Sequence, residues 1–153
     1  MAVGELERPH LSAHFRLSIV GLPIVDFSEC TGLASEVGTE EYLEGGENRF
    51  AHRFPSRHSS PNLILNRGIA ESSALWDWYA EGLASGRVKP RDGQVELLSW
   101  VDGELGPVRV WSFRRGFPVK IAGPDLNAMS SAVAIESLEI AHHGLVLVPM
   151  QAA

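Results

Sequence analysis

Glu40, Glu41 and Glu44 put three carboxylates in one short stretch. Carboxylates this close do acid–base work when burial drives their pKa values apart. The enzyme they would build is a small hydrolase using Glu41 or Glu44 with a histidine. Their surroundings are polar, so all three are expected in solvent, where that separation is lost. His142 and His143 suggest a metal, but adjacent strand residues point to opposite faces and cannot easily chelate one ion. His52 and His58 have no cysteine or second carboxylate at ligand spacing. Ser72 and Ser73 lack a Gly-x-Ser-x-Gly elbow and stand where a helix cap belongs. The chain has no Gly-x-Gly-x-x-Gly and no phosphate loop. Trp76, Trp78, Trp100 and Trp111 would need interleaved basic residues to stack single-stranded nucleic acid, and these are absent. The residues therefore imply no catalytic group, no cofactor and no metal site.

Composition points the same way. The chain has 153 residues, 44% hydrophobic and 21% charged, the proportions of one globular domain. A net charge of −6 disfavours a nucleic-acid-binding surface, which needs a basic face. Cys30 is the only cysteine, so no intrachain disulfide forms, and it is expected as a small buried residue. No stretch approaches the roughly 20 apolar residues that span a bilayer. The first residues lack a basic segment followed by an apolar run, so synthesis without a signal peptide, in the cytoplasm, is expected.

The elements that must position these residues are mostly strands. Residues 1–13 read as a flexible arm, 14–148 as one domain and 149–153 as a tail. Phe15, Leu17 and Ile19 alternate with His14, Arg16 and Ser18, a strand with one buried face. Extended stretches follow at about 26–36, interrupted by Gly32, and at about 39–43. Residues 44–61 contain Gly45-Gly46, two prolines and three arginines with little periodicity, which predicts a long loop. Its Phe50 and Phe54 need a surface to cover, and another subunit can supply it. Residues 62–68 read as a short strand. A helix is predicted over 72–85, capped by Ser72 or Ser73, with Leu75, Trp78, Tyr79 and Leu83 on one stripe and Gly86 as its stop. A strand over 94–101 puts Val95 and Leu97 opposite Glu96, Leu98 and Trp100. Asp102-Gly103 turns it into a second strand over 108–113. A short strand covers 119–121. The last main strand, 132–142, places Val133 and Ile135 one way and Leu138 and Ile140 the other, a phase slip near Glu136–Ser137 that implies a bulge or a change of burial along the strand. About seven strands and one helix predict a mainly β fold, a small antiparallel barrel or sandwich with a flanking helix. Its liability is edge strands that pair with other chains.

Seven segments together are specific. They are 27–33 (Phe-Ser-Glu-Cys-Thr-Gly-Leu), 41–46 (Glu-Tyr-Leu-Glu-Gly-Gly), 61–68 (Pro-Asn-Leu-Ile-Leu-Asn-Arg-Gly), 75–78 (Leu-Trp-Asp-Trp), 111–113 (Trp-Ser-Phe), 117–128 with Phe-Pro-Val-Lys and Gly-Pro-Asp-Leu-Asn-Ala, and 133–142 (Val-Ala-Ile-Glu-Ser-Leu-Glu-Ile-Ala-His). In this order the chain resembles the contractile-tail tube proteins of phage tails and bacterial contractile injection systems. His143 and residues 57–60 depart from that pattern. The resemblance implies a structural subunit whose six-membered rings stack into a hollow tube. It implies partners: further copies of itself, sheath protein, baseplate and tube-terminator proteins, and a protein or DNA cargo in the lumen, with no membrane insertion. It implies that the loop carrying Glu44, Gly45, Gly46, Asn48, Arg49, Phe50, Arg53 and Phe54 reaches a neighbouring subunit or ring. Ser137 and Glu139 become candidates for the lumen wall. The segments at 76–78 and 123–127 favour an injection system, with a particle released extracellularly; a phage tail tube or a tube-end adaptor of the same fold are the alternatives.

Overall fold

The computed structural model describes residues 14–43, 45–46, 51–68, 73–129 and 134–149. Its strands are β1 (His14–Ile19), β2 (Val25–Phe27), β3 (Glu29–Thr31), β4 (Glu36–Tyr42), β5 (His52–Ser59), β6 (Leu63–Gly68), β7 (Arg91–Val101), β8 (Glu104–Ala122), β9 (Ile135–Ala141) and β10 (Leu145–Val148). The helix α1 (Ala74–Ser85) lies between β6 and β7. Eight strands form one sheet in the order β2-β1-β7-β8-β9-β6-β3, with β10 attached to β8; β4 and β5 form a separate ribbon. Every pairing is antiparallel. The two ends of the order, β2 and β3, are successive pieces of one segment, so the sheet folds over on itself. The result is sandwich-like and not a closed barrel.

Alternation of apolar and polar residues buries one face. Leu17, Val95, Phe113, Leu138, Ile140, Leu63 and Leu65 meet inside. Leu75 and Trp78 of α1 close this core, their three-residue spacing bringing them to one stripe. Gly86 ends the helix in the left-handed conformation (φ 66°). Ser73 does not cap it: its hydroxyl donates to Asp77 Oδ2 at 3.1 Å. Leu83, expected on the core stripe, is 70% exposed.

The strand β8 runs for 19 residues through Pro107 and Pro118, joining what the sequence presented as two strands. It bends at Arg115, whose φ of 52° is held by its N–H donating to Asp92 Oδ1 at 3.0 Å. The bend leaves Phe113 between Gly93 and Gly116; a Cβ on Gly93 would lie 2.6 Å from the ring, and one on Gly116 would also collide with it. Glycine at both positions makes room for the ring. Asp102 (φ 51°) and Gly103 (φ 82°) form the tight β7–β8 turn.

Two expectations are corrected and a third is narrowed. Residues 52–59 are not loop but strand β5, paired with β4 from Glu36↔Ser59 to Tyr42↔His52. The β7 alternation breaks at a register shift between Leu97 and Leu98, so Val95 and Leu98 are both buried. The strand β9 carries no bulge: it pairs in continuous register with β6, and the step from Ile135 to Leu138 is a change of burial, with Glu136, Leu138 and Ile140 sharing the buried face. Ile135 is exposed on the other side. The expected N-terminal arm (1–13), Ser72 and Val133 lie outside the described residues.

Candidate assembly surface

The β4–β5 ribbon projects from the domain and makes no substantial contact with the sheet or the helix. Its register sorts side chains into two faces. Glu40, Tyr42, His52 and Phe54 share one; Thr39, Glu41, Arg53 and Pro55 share the other. On the first face Tyr42 and Phe54 meet edge to face, centroids 6.5 Å apart at 65°. Both rings are more than half exposed, and Leu43 beside them is 75% exposed. On the second face Arg53 Nε lies 3.6 Å from Glu41 Oε1, a solvated pair that contributes little stability. Gly45 and Gly46 form an exposed turn at the tip, Gly46 with φ 104°. Glu44, Asn48, Arg49 and Phe50 lie outside the described residues. Of the expected loop residues, Gly45, Gly46, Arg53 and Phe54 are therefore placed on one projecting arm. Tyr42 and Leu43 belong there too, both exposed at the end of β4.

Ser137 and Glu139 sit together elsewhere, half-exposed on the face of β9 turned away from the core. Glu139 Oε1 accepts a hydrogen bond from Asn62 Nδ2 at 3.0 Å. Their strand neighbours are Asn66 and Ala122 for Ser137, and Ile64 and Lys120 for Glu139.

A latch behind this face was not foreseen. Glu136 stands at a core-side position of β9, opposite Arg67 of β6, and both are buried. Arg67 Nε lies 3.1 Å from Glu136 Oε2. The other carboxylate oxygen accepts from Trp76 Nε1 of α1 at 2.6 Å. One charged group thus ties the helix to two central strands. The sequence signal is a glutamate in phase with Leu138 and Ile140. At the other end of α1, Arg91 Nη2 reaches both oxygens of Glu81 at 3.2 Å and Nη1 donates to the Val20 carbonyl at 3.0 Å.

The groups considered for catalysis are dispersed. Glu41 is on the arm facing Arg53. His142 Nδ1 accepts from the Gly144 N–H at 3.1 Å, so Nε2 carries the proton and donates to the Pro61 carbonyl at 3.2 Å. Among the described residues no three His, Cys, Asp or Glu side chains cluster to hold a metal. Burial raises the Cys30 thiol to about 11, which keeps it protonated at neutral pH. No helix among the described residues is long and apolar enough to cross a membrane.

An antiparallel sheet folded over one helix, with Tyr42 and Phe54 exposed on a separate ribbon, leaves apolar surface open for contacts. The model of the family described as T4-like virus tail tube protein gp19 matches residues 11–146, and the chain belongs to that family. Solved structures share the fold. A chain in the six-fold-symmetrised baseplate of the anti-feeding prophage (AFP) superposes with TM-score 0.78 at 24% identity, covering 94% of this chain and 97% of that one. A chain in the sheath–tube complex of the extracellular contractile injection system PVC, in its extended state, gives 0.78 at 22% identity, covering 95% of each. A chain in the AFP tube-terminating cap gives 0.80 at 21%, covering 98% and 100%. None of the curated proteins compared with the chain matches it.

Proposed function

We propose that this tail tube protein builds the inner tube of a contractile injection system, six copies to a ring and rings stacked around a lumen, with no catalytic role. The observation that carries this is the arm: Tyr42, Leu43 and Phe54 are exposed on a ribbon that, among the described residues, makes no substantial contact with the sheet or the helix. Exposed apolar side chains grouped in this way mark a protein contact, and a second copy is the partner a tube requires. The similarity to chains of the AFP and PVC particles supports an injection system, with sheath, baseplate and terminator proteins as further partners and a protein or DNA cargo inside. Ser137 and Glu139 would line the lumen, where a carboxylate repels phosphates and acidic cargo from the wall.

Electron microscopy of the purified chain and of native particles tests the proposal. Rings and tubes containing the chain are expected. Monomers under every condition, together with absence from isolated particles, refute it. The family's T4-like virus members favour a second reading, a phage tail tube; capsid and terminase genes beside this one would establish it. The similar score against the AFP cap keeps a tube-end adaptor in view, and quantitative mass spectrometry separates the two, since an adaptor is present at few copies per particle.

A further inference from the structure

We infer that the free edge of β10 is the seat for the β4 edge of a second copy's arm. This rests on the tube reading and names the contact that would link its subunits.

Strand β10 pairs with β8 through one edge only; among the described residues no strand occupies the other. Its four residues, Leu145–Val148, carry no charge and no proline, and Val146 and Leu147 are more than half exposed. An apolar edge with open N–H and C=O groups is a template for another strand. The arm has the opposite need. A two-stranded ribbon alone in water is marginal, and a third strand stabilises it. Of its two edges, β5 carries Pro55, which has no N–H to offer, whereas β4 carries no proline.

Charge selects the same match. Arg109, Arg114 and Arg115 are exposed and bracket the Val110–Phe113 stretch that holds β10. None has a side-chain ion pair among the described residues. Strand β4 carries Glu36 and Glu40, also exposed and without a cation among the described residues. At about 3.3 Å per residue, Arg109 to Arg114 spans roughly 17 Å and Glu36 to Glu40 roughly 13 Å; the two arginines lie on opposite faces and the two glutamates on one, so a β4 strand laid on β10 brings its glutamates within reach of one arginine. The arm and β10 are different surfaces, so the contact is head to tail and propagates from copy to copy until a ring closes.

Cross-linking within the full chain tests this. Subunits carrying Thr39→Cys and subunits carrying Val146→Cys, both exposed positions, are mixed, assembled and treated with a short bis-maleimide. Each variant alone reports any contribution from Cys30. A dimer formed by the mixture and absent from either variant alone is expected. Tubes visible by microscopy without that dimer, or a Val146→Cys dimer with itself, overturn the inference and leave the tube reading intact. If neither the variants nor the unmodified chain forms rings or tubes, the tube reading fails and the inference with it. As a second readout, Arg109→Glu with Arg114→Glu is expected to raise the concentration needed for tubes roughly fivefold, the exposed pairing being reversed whichever arginine faces the glutamates. Adding Glu36→Arg and Glu40→Arg is expected to restore it. Tubes at the unmodified concentration from the arginine variant, or no restoration, overturn the inference.

Discussion

Replacing Glu136 by alanine should cost this domain a large part of its stability. The carboxylate is buried and does two things: it neutralises Arg67 at 3.1 Å and accepts from Trp76 Nε1 at 2.6 Å. Removing one partner of a buried ion pair typically costs about 3–5 kcal/mol, because a desolvated charge loses its compensation. A domain of this size is stable by about 5–15 kcal/mol, so the change is a large fraction of the total. In urea, with a slope of about 2 kcal/mol per molar, a loss of about 4 kcal/mol lowers the midpoint by about 2 M. The assay is urea unfolding followed by tryptophan fluorescence, at protein concentrations below assembly; Trp76 itself reports the helix. Arg67→Met combined with Glu136→Leu should recover most of the loss, because an apolar pair needs no compensation. A Glu136→Ala variant within about 1 kcal/mol of the parent, the range of a solvated pair, would refute the reasoning.

Gly116→Ala places a methyl against the Phe113 ring and is expected to cost about 1–3 kcal/mol, measured as a lowered midpoint in the same titration. Tyr42→Ser with Phe54→Ser should leave monomer stability within about 0.5 kcal/mol while abolishing tubes in electron micrographs, since both rings are exposed in the subunit. Deleting residues 46–58 should likewise give a folded monomer that does not polymerise, checked by circular dichroism and light scattering. Alkylation of Cys30 in the folded chain should be slow at pH 7 and keep accelerating up to about pH 11, where an unfolded control levels off near pH 9. The same shift has a sign for stability: the buried thiol favours the folded state below the unfolded pKa, and this is lost as pH rises toward about 11.

How far the sequence revealed this molecule follows from where local rules and tertiary rules agree. The helix was legible because Leu75 and Trp78 keep helical spacing and Gly86 stops the chain. The β7–β8 turn was legible because Asp102-Gly103 tolerates left-handed backbone at both positions. Strand β5 was hidden: Pro55 and a polar, aperiodic sequence describe a ribbon with neither face in its own core, and period-two alternation arises only where one face is buried. The continuity of β8 was hidden by its two prolines and by a bend that depends on Asp92, distant in sequence. In β9 a bulge and a change of burial read alike, because a buried carboxylate at Glu136 breaks the apolar alternation although the strand itself is regular. The family was readable from its ordered segments. The latch between Glu136, Arg67 and Trp76 was not, because its members come from three separate elements.

The unsupported ribbon also shapes the timing of growth. Fixing the backbone of a strand costs about 1–2 kcal/mol per residue in lost conformational freedom, and the isolated subunit has little to set against it. The first few copies to meet must order their arms with few neighbours to share the gain, whereas each later arrival meets a row of seats already in place. Polymerisation should therefore begin after a lag, shorten sharply when preformed fragments are added, and leave dilute subunits dispersed until a starting platform is present.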